Sequence, residues 1–146
     1  MFIRDLVNAD ELPVLEQSLR FAAQRQQVLA HNIANYGTPG FQPTDVSVDG
    51  FQRSLSKAID ARQERWGGGR GELEWSTTTQ LKKNSRGELV LQPVTTNQNI
   101  LFHDRTNASL ERLMQGIQEN TADFALTAEL MRAKMDLLRT AVTETR

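Results

Sequence analysis

From Leu110 onward, Met114, Ile117, Thr121, Phe124, Ala128, Met131, Met135, Leu138 and Val142 follow one another at alternating steps of four and three for more than four heptads. An α-helix turns once in 3.6 residues, so this spacing holds all ten side chains along one narrow stripe, the pattern of a coiled-coil seam. Leu113, Leu130 and Leu137 widen the stripe, while Glu111, Arg112, Gln115, Gln118, Asp123, Glu129, Arg132, Asp136 and Arg139 make the remaining face polar. Such a helix is predicted to contact more than one neighbour. Running from about Asn107 to Thr143 it would be about 55 Å long at 1.5 Å per residue, which is long for a compact domain of 146 residues.

A second seam lies near the N-terminus, where Leu12, Leu15, Leu19, Ala22, Gln26, Leu29 and Ile33 repeat the same spacing with one polar member. Asn8 or Asp10 can cap this helix, Glu11 suits its positive end and Pro13 is tolerated in the first turn. Asn35, Gly37, Pro39 and Gly40 end it, because proline lacks an N–H and glycine is free to leave the helical region. Each seam carries one polar layer, and an antiparallel register that sets Ile33 opposite Met114 also sets Gln26 opposite Thr121. The expected fold is therefore mainly α. Its two long terminal helices pack as an antiparallel coiled-coil hairpin, with a short helix and a small β-hairpin or irregular segment between them. The divisions are residues 1–41, 42–106 and 107–146.

Between the seams the pattern weakens. Asp49 and Gln52 resemble a capping box, and Phe51, Leu55, Ala58 and Ile59 form one side of a short helix to about Glu64. The run from Trp66 to Gly71 reads as a flexible glycine-rich linker. Leu73, Trp75 and Thr77 alternate, and segments 79–83 and 88–92 flank Asn84-Ser-Arg-Gly87, which reads as a hairpin turn. Residues 93–106 show no strong period.

Composition removes several classes of function. Seventeen basic and eighteen acidic residues give a formal net charge of −1, which offers no electrostatic grip on nucleic acid or an anionic membrane surface. With no cysteine, disulfide frameworks, thiol catalysis and cysteine-based zinc sites are excluded. No stretch approaches the eighteen apolar residues of a membrane span, and MFIRDLVNADEL lacks the basic and apolar regions of a cleavable secretory signal.

Catalytic constellations are equally scarce. His31 and His103 stand 72 positions apart without the pairing that puts two metal ligands on one helix face, so His31 is read as a polar-face residue and His103 as a loop residue. The GGGRG run lacks the Lys-Ser/Thr of a phosphate loop. Glu72 with Glu74, and Glu11 with Glu16, have no apolar setting to raise a pKa. Asn107-Ala-Ser109 is a formal glycosylation sequon that also fits a helix start capped by Asn107. Met114, Met131 and Met135 occupy seam positions and are read as packing residues. No cofactor, metal or small-molecule substrate is expected, and any partner is expected to be protein.

One segment is specific. His31-Asn-Ile-Ala-Asn-Tyr-Gly-Thr-Pro-Gly-Phe41 resembles the N-terminal signature of the bacterial flagellar axial proteins, the family of rod, hook and hook-associated subunits. Those proteins show Asn-Ile-Ala-Asn, two variable positions, then Thr-Pro-Gly-Tyr or Phe, directly after an amphipathic helix. Here Asn32, Ile33, Ala34, Asn35, Thr38, Pro39, Gly40 and Phe41 fill every position. A helix stop followed by a turn accounts for Pro39 and Gly40 but not for the paired asparagines around Ile33. The short length, the helix-like segment from Val48 to Ile59 and the two stretches Glu119 to Phe124 and Lys134 to Val142 are similar to the small proximal rod subunits of the basal body. More than one small rod protein shares these ends.

The resemblance implies a non-enzymatic subunit that leaves the cytoplasm through the flagellar type III export apparatus without a cleaved signal and polymerises helically in the periplasm. Its terminal helices would form the inner coiled-coil layer of the axial drive shaft. Its partners would be further copies of itself, other rod subunits and the protein joining rod to membrane ring. In this setting the turn from Asn32 to Phe41 is expected to be structural, its asparagines bonding free backbone groups at the helix end and Phe41 packing on a neighbour. Leu113, Leu130 and Leu137 are expected to be exposed in the free subunit. The competing reading is a cytoplasmic helical adaptor or export chaperone that uses the same seams for a partner helix.

Overall fold

The computed structural model describes residues 11–66, 73–95 and 107–144. The candidate caps Asn8 and Asp10, the glycine run 67–71, Glu72 and His103 lie outside them. Among the described residues three helices, α1 (Glu11–Ala34), α2 (Val48–Trp66) and α3 (Asn107–Glu144), accompany four short strands, β1 (Thr44–Asp45), β2 (Leu81–Lys83), β3 (Leu89–Leu91) and β4 (Val94–Thr95). At 38 residues α3 is about 57 Å long. No helix among the described residues is long and apolar enough to cross a membrane.

Helix α1 begins with acidic Glu11 in its first turn and is braced by an i,i+4 pair in which Arg20 meets Glu16 at 2.9 Å. Helix α2 starts slightly earlier than its expected capping box. The Ser47 hydroxyl accepts from the Gly50 amide at 3.0 Å and the Ser47 carbonyl from the Phe51 amide at 3.0 Å, so Ser47 is the cap and Asp49 lies inside the first turn. The helix then buries Phe51, Ser54, Ala58 and Arg62, with Leu55 and Ile59 half-buried.

The hairpin reads as expected around Asn84. Strands β2 and β3 pair antiparallel, Leu81 with Leu91 and Lys83 with Leu89. Asn84 Oδ1 accepts the amides of Arg86 and Glu88, both at 2.9 Å, and Gly87 takes φ +78°. This left-handed position favours glycine and turns the chain back on itself. Glu88 receives the Asn84 amide at 2.7 Å and Arg20 at 3.4 Å; these bonds, Asn84's foremost, hold its carboxyl below the ordinary glutamate value. Two expectations need correction. Residues 73–78 form no strand, although Leu73 and Trp75 are buried, and Val94–Thr95, in a segment without a period, pairs antiparallel with Thr44–Asp45.

One apolar cluster ties these pieces together. Phe21 of α1, Val46, Phe51 of α2, Trp75, and Leu81, Leu89 and Leu91 of the hairpin are buried against each other, with Val48 and Leu55 alongside. Phe21 stacks on Phe51 with ring centres 4.0 Å apart, and Phe51 stacks on Trp75 at 5.6 Å, so three rings from three segments form the centre of the core. Helix α1 thus has two working faces, one against this cluster and one against α3.

The contacts between α1 and α3 descend along one helix as they climb the other. Leu29 lies beside Gly116, Asn120 bonds to Ala22 and Gln26, and Lys134 pairs with Glu11 at 2.6 Å. The two helices therefore run antiparallel. The polar layer pairs Gln26 with Asn120 rather than Thr121: Asn120 Nδ2 donates to Gln26 Oε1 at 2.8 Å and to the Ala22 carbonyl at 2.9 Å, while Thr121 is exposed. A buried amide can satisfy two acceptors at once, which the shorter threonine side chain cannot do from the neighbouring position. The helix is accordingly rolled so that Leu113 and Asn120 face inward.

Candidate functional site

The segment that leaves α1 is built from side chains that replace backbone partners. Asn32, only 1% exposed, donates from Nδ2 to the Thr44 carbonyl at 2.6 Å and accepts the Thr44 amide on Oδ1 at 3.1 Å. Its carboxamide thus behaves as one more residue of a β-ladder, closing the edge of β1 opposite β4. Directly beneath, Arg25 grips Asp45 bidentately at 2.9 and 2.8 Å, and Asp45 Oδ1 also accepts the Val46 amide at 2.7 Å. The planar guanidinium fork matches the carboxylate and fixes the strand's orientation as well as its distance. Gln24, the residue before Arg25, repeats the device on the hairpin: its Nε2 donates to the Leu89 carbonyl at 2.8 Å and its Oε1 accepts the Leu91 amide at 3.0 Å.

The loop between Asn32 and Thr44 is itself a series of turns. Asn35 caps the helix end, its amide nitrogen and side-chain Nδ2 both donating to the His31 carbonyl at 3.1 and 2.9 Å. Thr38, Pro39, Gly40 and Phe41 form a β-turn closed by the Phe41 amide on the Thr38 carbonyl at 3.1 Å, with Gly40 at φ +79°. Proline at the second position and a left-handed glycine at the third are the requirements of a type II turn. Phe41 folds back edge-on to His31, ring centres 5.7 Å apart. Within the chain, then, Asn35 bonds the helix end as expected, whereas Asn32 reaches past it to β1 and Phe41 meets His31. Thr38, Pro39, Gly40 and Ala34 are exposed, and Ile33 is half-buried.

The seam residues divide. On α1, Ala22 and Leu29 are buried and Leu12, Leu15, Leu19 and Gln26 half-buried. On α3, Leu110, Ile117, Ala128, Met131 and Leu138 are half-buried, while Met114, Thr121, Phe124, Met135 and Val142 are exposed. Leu126, Leu130 and Leu137 are exposed with them, and Leu113 is half-buried. Of the ten seam residues of α3, five are thus partly covered and five are exposed, Met114 at 52% and Val142 at 71%. Sequence periodicity passed over Asn120, Arg25, Gln24 and Phe21. For Asn120 the signal was present as a polar residue flanking the seam, but a pattern of apolar spacings does not register it. Among the described residues no group of three histidine, aspartate or glutamate side chains is placed to hold a metal ion.

Residues 17–42, which are most of α1 and its exit turn, match the family model described as flagella basal body rod protein. The chain is 42% identical over 53 residues to the flagellar basal body rod protein FlgB of Salmonella typhimurium, a stretch covering 36% of each chain. It is 42% identical over 45 residues to the proteins of the same name from Yersinia enterocolitica and Yersinia ruckeri, 31% of each chain. The matches span about a third of the length of these relatives. The helix and turn where Asn32, Asn35, Pro39 and Gly40 do their structural work thus lie within the stretch that matches the flagella basal body rod protein model, and about a third of the chain is similar to FlgB proteins.

Proposed function

We propose that the chain is a structural subunit of the proximal rod of the bacterial flagellar basal body, exported through the flagellar type III apparatus and polymerised helically through its terminal helices. The observation that carries this reading is the apolar face that α3 leaves uncovered, on a helix paired with one bearing the rod-protein signature. Burying large apolar side chains is worth about 1.5–3 kcal/mol each, and a continuous exposed stripe of them marks an interaction surface. In this reading Met114, Phe124, Met135 and Val142 complete their seam against neighbouring subunits, while Leu110, Ile117, Met131 and Leu138 close it against α1 as a coiled-coil hairpin. Residues 1–41 and 107–146 form the inner layer of the rod and residues 42–106 its outer part. The partners are further copies, other rod subunits and the protein that joins rod to membrane ring. The rigid exit turn, with Pro39 and Gly40 at its tip, sets the angle at which the outer part leaves the inner layer.

The test is fractionation of cells that carry a tagged copy, with and without a working flagellar export gate. Gate-dependent recovery in purified basal bodies is expected, and a V142Q/M135Q variant is expected to be lost from them while keeping the thermal stability of the free chain. A chain that stays in the cytoplasm bound to a partner refutes the rod role and leaves the adaptor reading in its place.

A further inference from the structure

Beside the three-ring core, a cavity of about 300 Å³ opens between α2 and the segment leading into β2, with Phe51 and Leu81 of the core among its lining. Arg53 and Lys57, one helical turn apart, stand on its rim with Ser76 and Thr79 facing them. Neither cation has a carboxylate within ion-pair distance among the described residues, whereas Arg20, Arg25, Arg65, Arg132, Lys134 and Arg139 all do. Between them Ser54 lines the same cavity. It is 94% buried (6% exposed), and its hydroxyl has no hydrogen-bond partner among the described residues. A nearly buried hydroxyl left open at the floor of a cavity, under two unpaired cations, is arranged for an incoming oxyanion.

The same chain displays the complementary group. On α3, Glu119 and Asp123 are exposed, one turn apart, and neither pairs with a cation among the described residues; Glu119 accepts only the Gln115 amide, at 2.8 Å. By contrast Glu129 and Asp136 on the same helix are paired with Arg132 and Arg139. Two carboxylates and two cations with equal spacing, none of them in an ion pair among the described residues, are satisfied together when two copies meet.

We infer that the Arg53–Lys57 cavity on α2 receives the Glu119–Asp123 edge of α3 from a second copy of this chain. The two patches lie on different elements, so the contact is heterologous. Unless the rotation closes into a ring, it adds subunits head to tail along a helix. Ser54 then takes its missing partner from an incoming carboxylate oxygen. The inference rests on the rod reading for its biological setting but not for its chemistry.

The chain has no cysteine, so single cysteines report the contact cleanly. A mixture of full-length K57C and D123C chains under mild oxidant is expected to give the mixed disulfide dimer, and a mixture of K57C with a D136C control is expected not to. R53E/K57E is expected to weaken self-association by about ten-fold, equivalent to about 1.4 kcal/mol, and E119K/D123K on the same chain is expected to restore it. All four side chains are exposed, and unchanged circular dichroism confirms that folding is not the cause. Equal cross-linking to D136C, unchanged association of R53E/K57E, or no restoration by the second pair overturns the inference. In cells, R53E/K57E chains that enter basal bodies as the unaltered chain does would overturn it and leave the rod role standing. Absence of the unaltered chain from basal bodies would refute the rod role, with the purified-protein results still deciding the contact.

Discussion

The two asparagines of the exit signature differ sharply in what their loss should cost. Replacing Asn32 by alanine removes two hydrogen bonds to Thr44, at 2.6 and 3.1 Å, from a side chain that is 1% exposed. A hydrogen bond is worth about 1 kcal/mol net, but an orphaned buried backbone group costs about 1–3 kcal/mol. With both the N–H and the C=O of half-buried Thr44 affected, a loss of about 3 kcal/mol is expected. Asn35→Ala removes only one of two donors to the His31 carbonyl, which keeps the Asn35 backbone amide at 3.1 Å, so about 0.5–1 kcal/mol is expected. Urea unfolding, followed through Trp75 emission in a W66F background, reads the difference in the cluster that Val46 joins to β1. At an m-value of about 1.5–2 kcal/mol per molar, Asn32→Ala should lower the midpoint by about 1.5–2 M, and Asn35→Ala by less than about 0.7 M. Asn32→Asp sets a carboxylate oxygen against the Thr44 carbonyl and should be no milder than alanine. Equal midpoints for the two alanine variants, or a tolerated Asn32→Asp, would show that Asn32 does not hold β1 to α1.

Gly40→Ala should destabilise by about 1–2 kcal/mol although nothing lies within 4 Å of the added methyl, because the penalty comes from φ +79° alone; the same urea titration measures it, and a neutral result would refute the type II turn. Phe51→Ala, which removes the ring stacked between Phe21 and Trp75, should cost about 3–5 kcal/mol and shift Trp75 emission to the red, while helicity of α3 measured by circular dichroism is largely kept. Because the Glu88 carboxyl is held below its ordinary value by Asn84 and then Arg20, its contribution is complete above the ordinary glutamate range and disappears as pH falls through its lowered value. A carboxyl-carbon NMR titration should find Glu88 titrating below the ordinary glutamate value, and in Asn84→Ala this lowering should shrink.

What the sequence disclosed and what it withheld follow from the range of the forces involved. The helices were legible because apolar spacing is a local property repeated over many residues, as in Leu110 to Val142, and the hairpin because Asn84 and Gly87 dictate a turn by themselves. The roll of α3 against α1 was not, since choosing between Asn120 and Thr121 requires knowing that the Ala22 carbonyl and Gln26 lie opposite, separated by 94 or more positions. Phe21 escaped notice for the same reason: it falls off the α1 seam and acquires a place in the core only when Phe51 and Trp75 arrive from elsewhere in the chain. The signature around Asn32 lies between these extremes. Its residues were recognisable by identity, yet the work Asn32 does, standing in for a strand beside Thr44, depends on a partner twelve residues away. That distance explains why a helix stop accounted for Pro39 and Gly40 but left the asparagine pair unexplained. Asn35 ends the helix, whereas Asn32 fastens it to the segment that follows, so a chain with this exit holds the direction in which its middle part departs from its terminal helices. If the rod subunit proposed above stacks through those helices, a fixed departure angle would let every copy present the same outer surface.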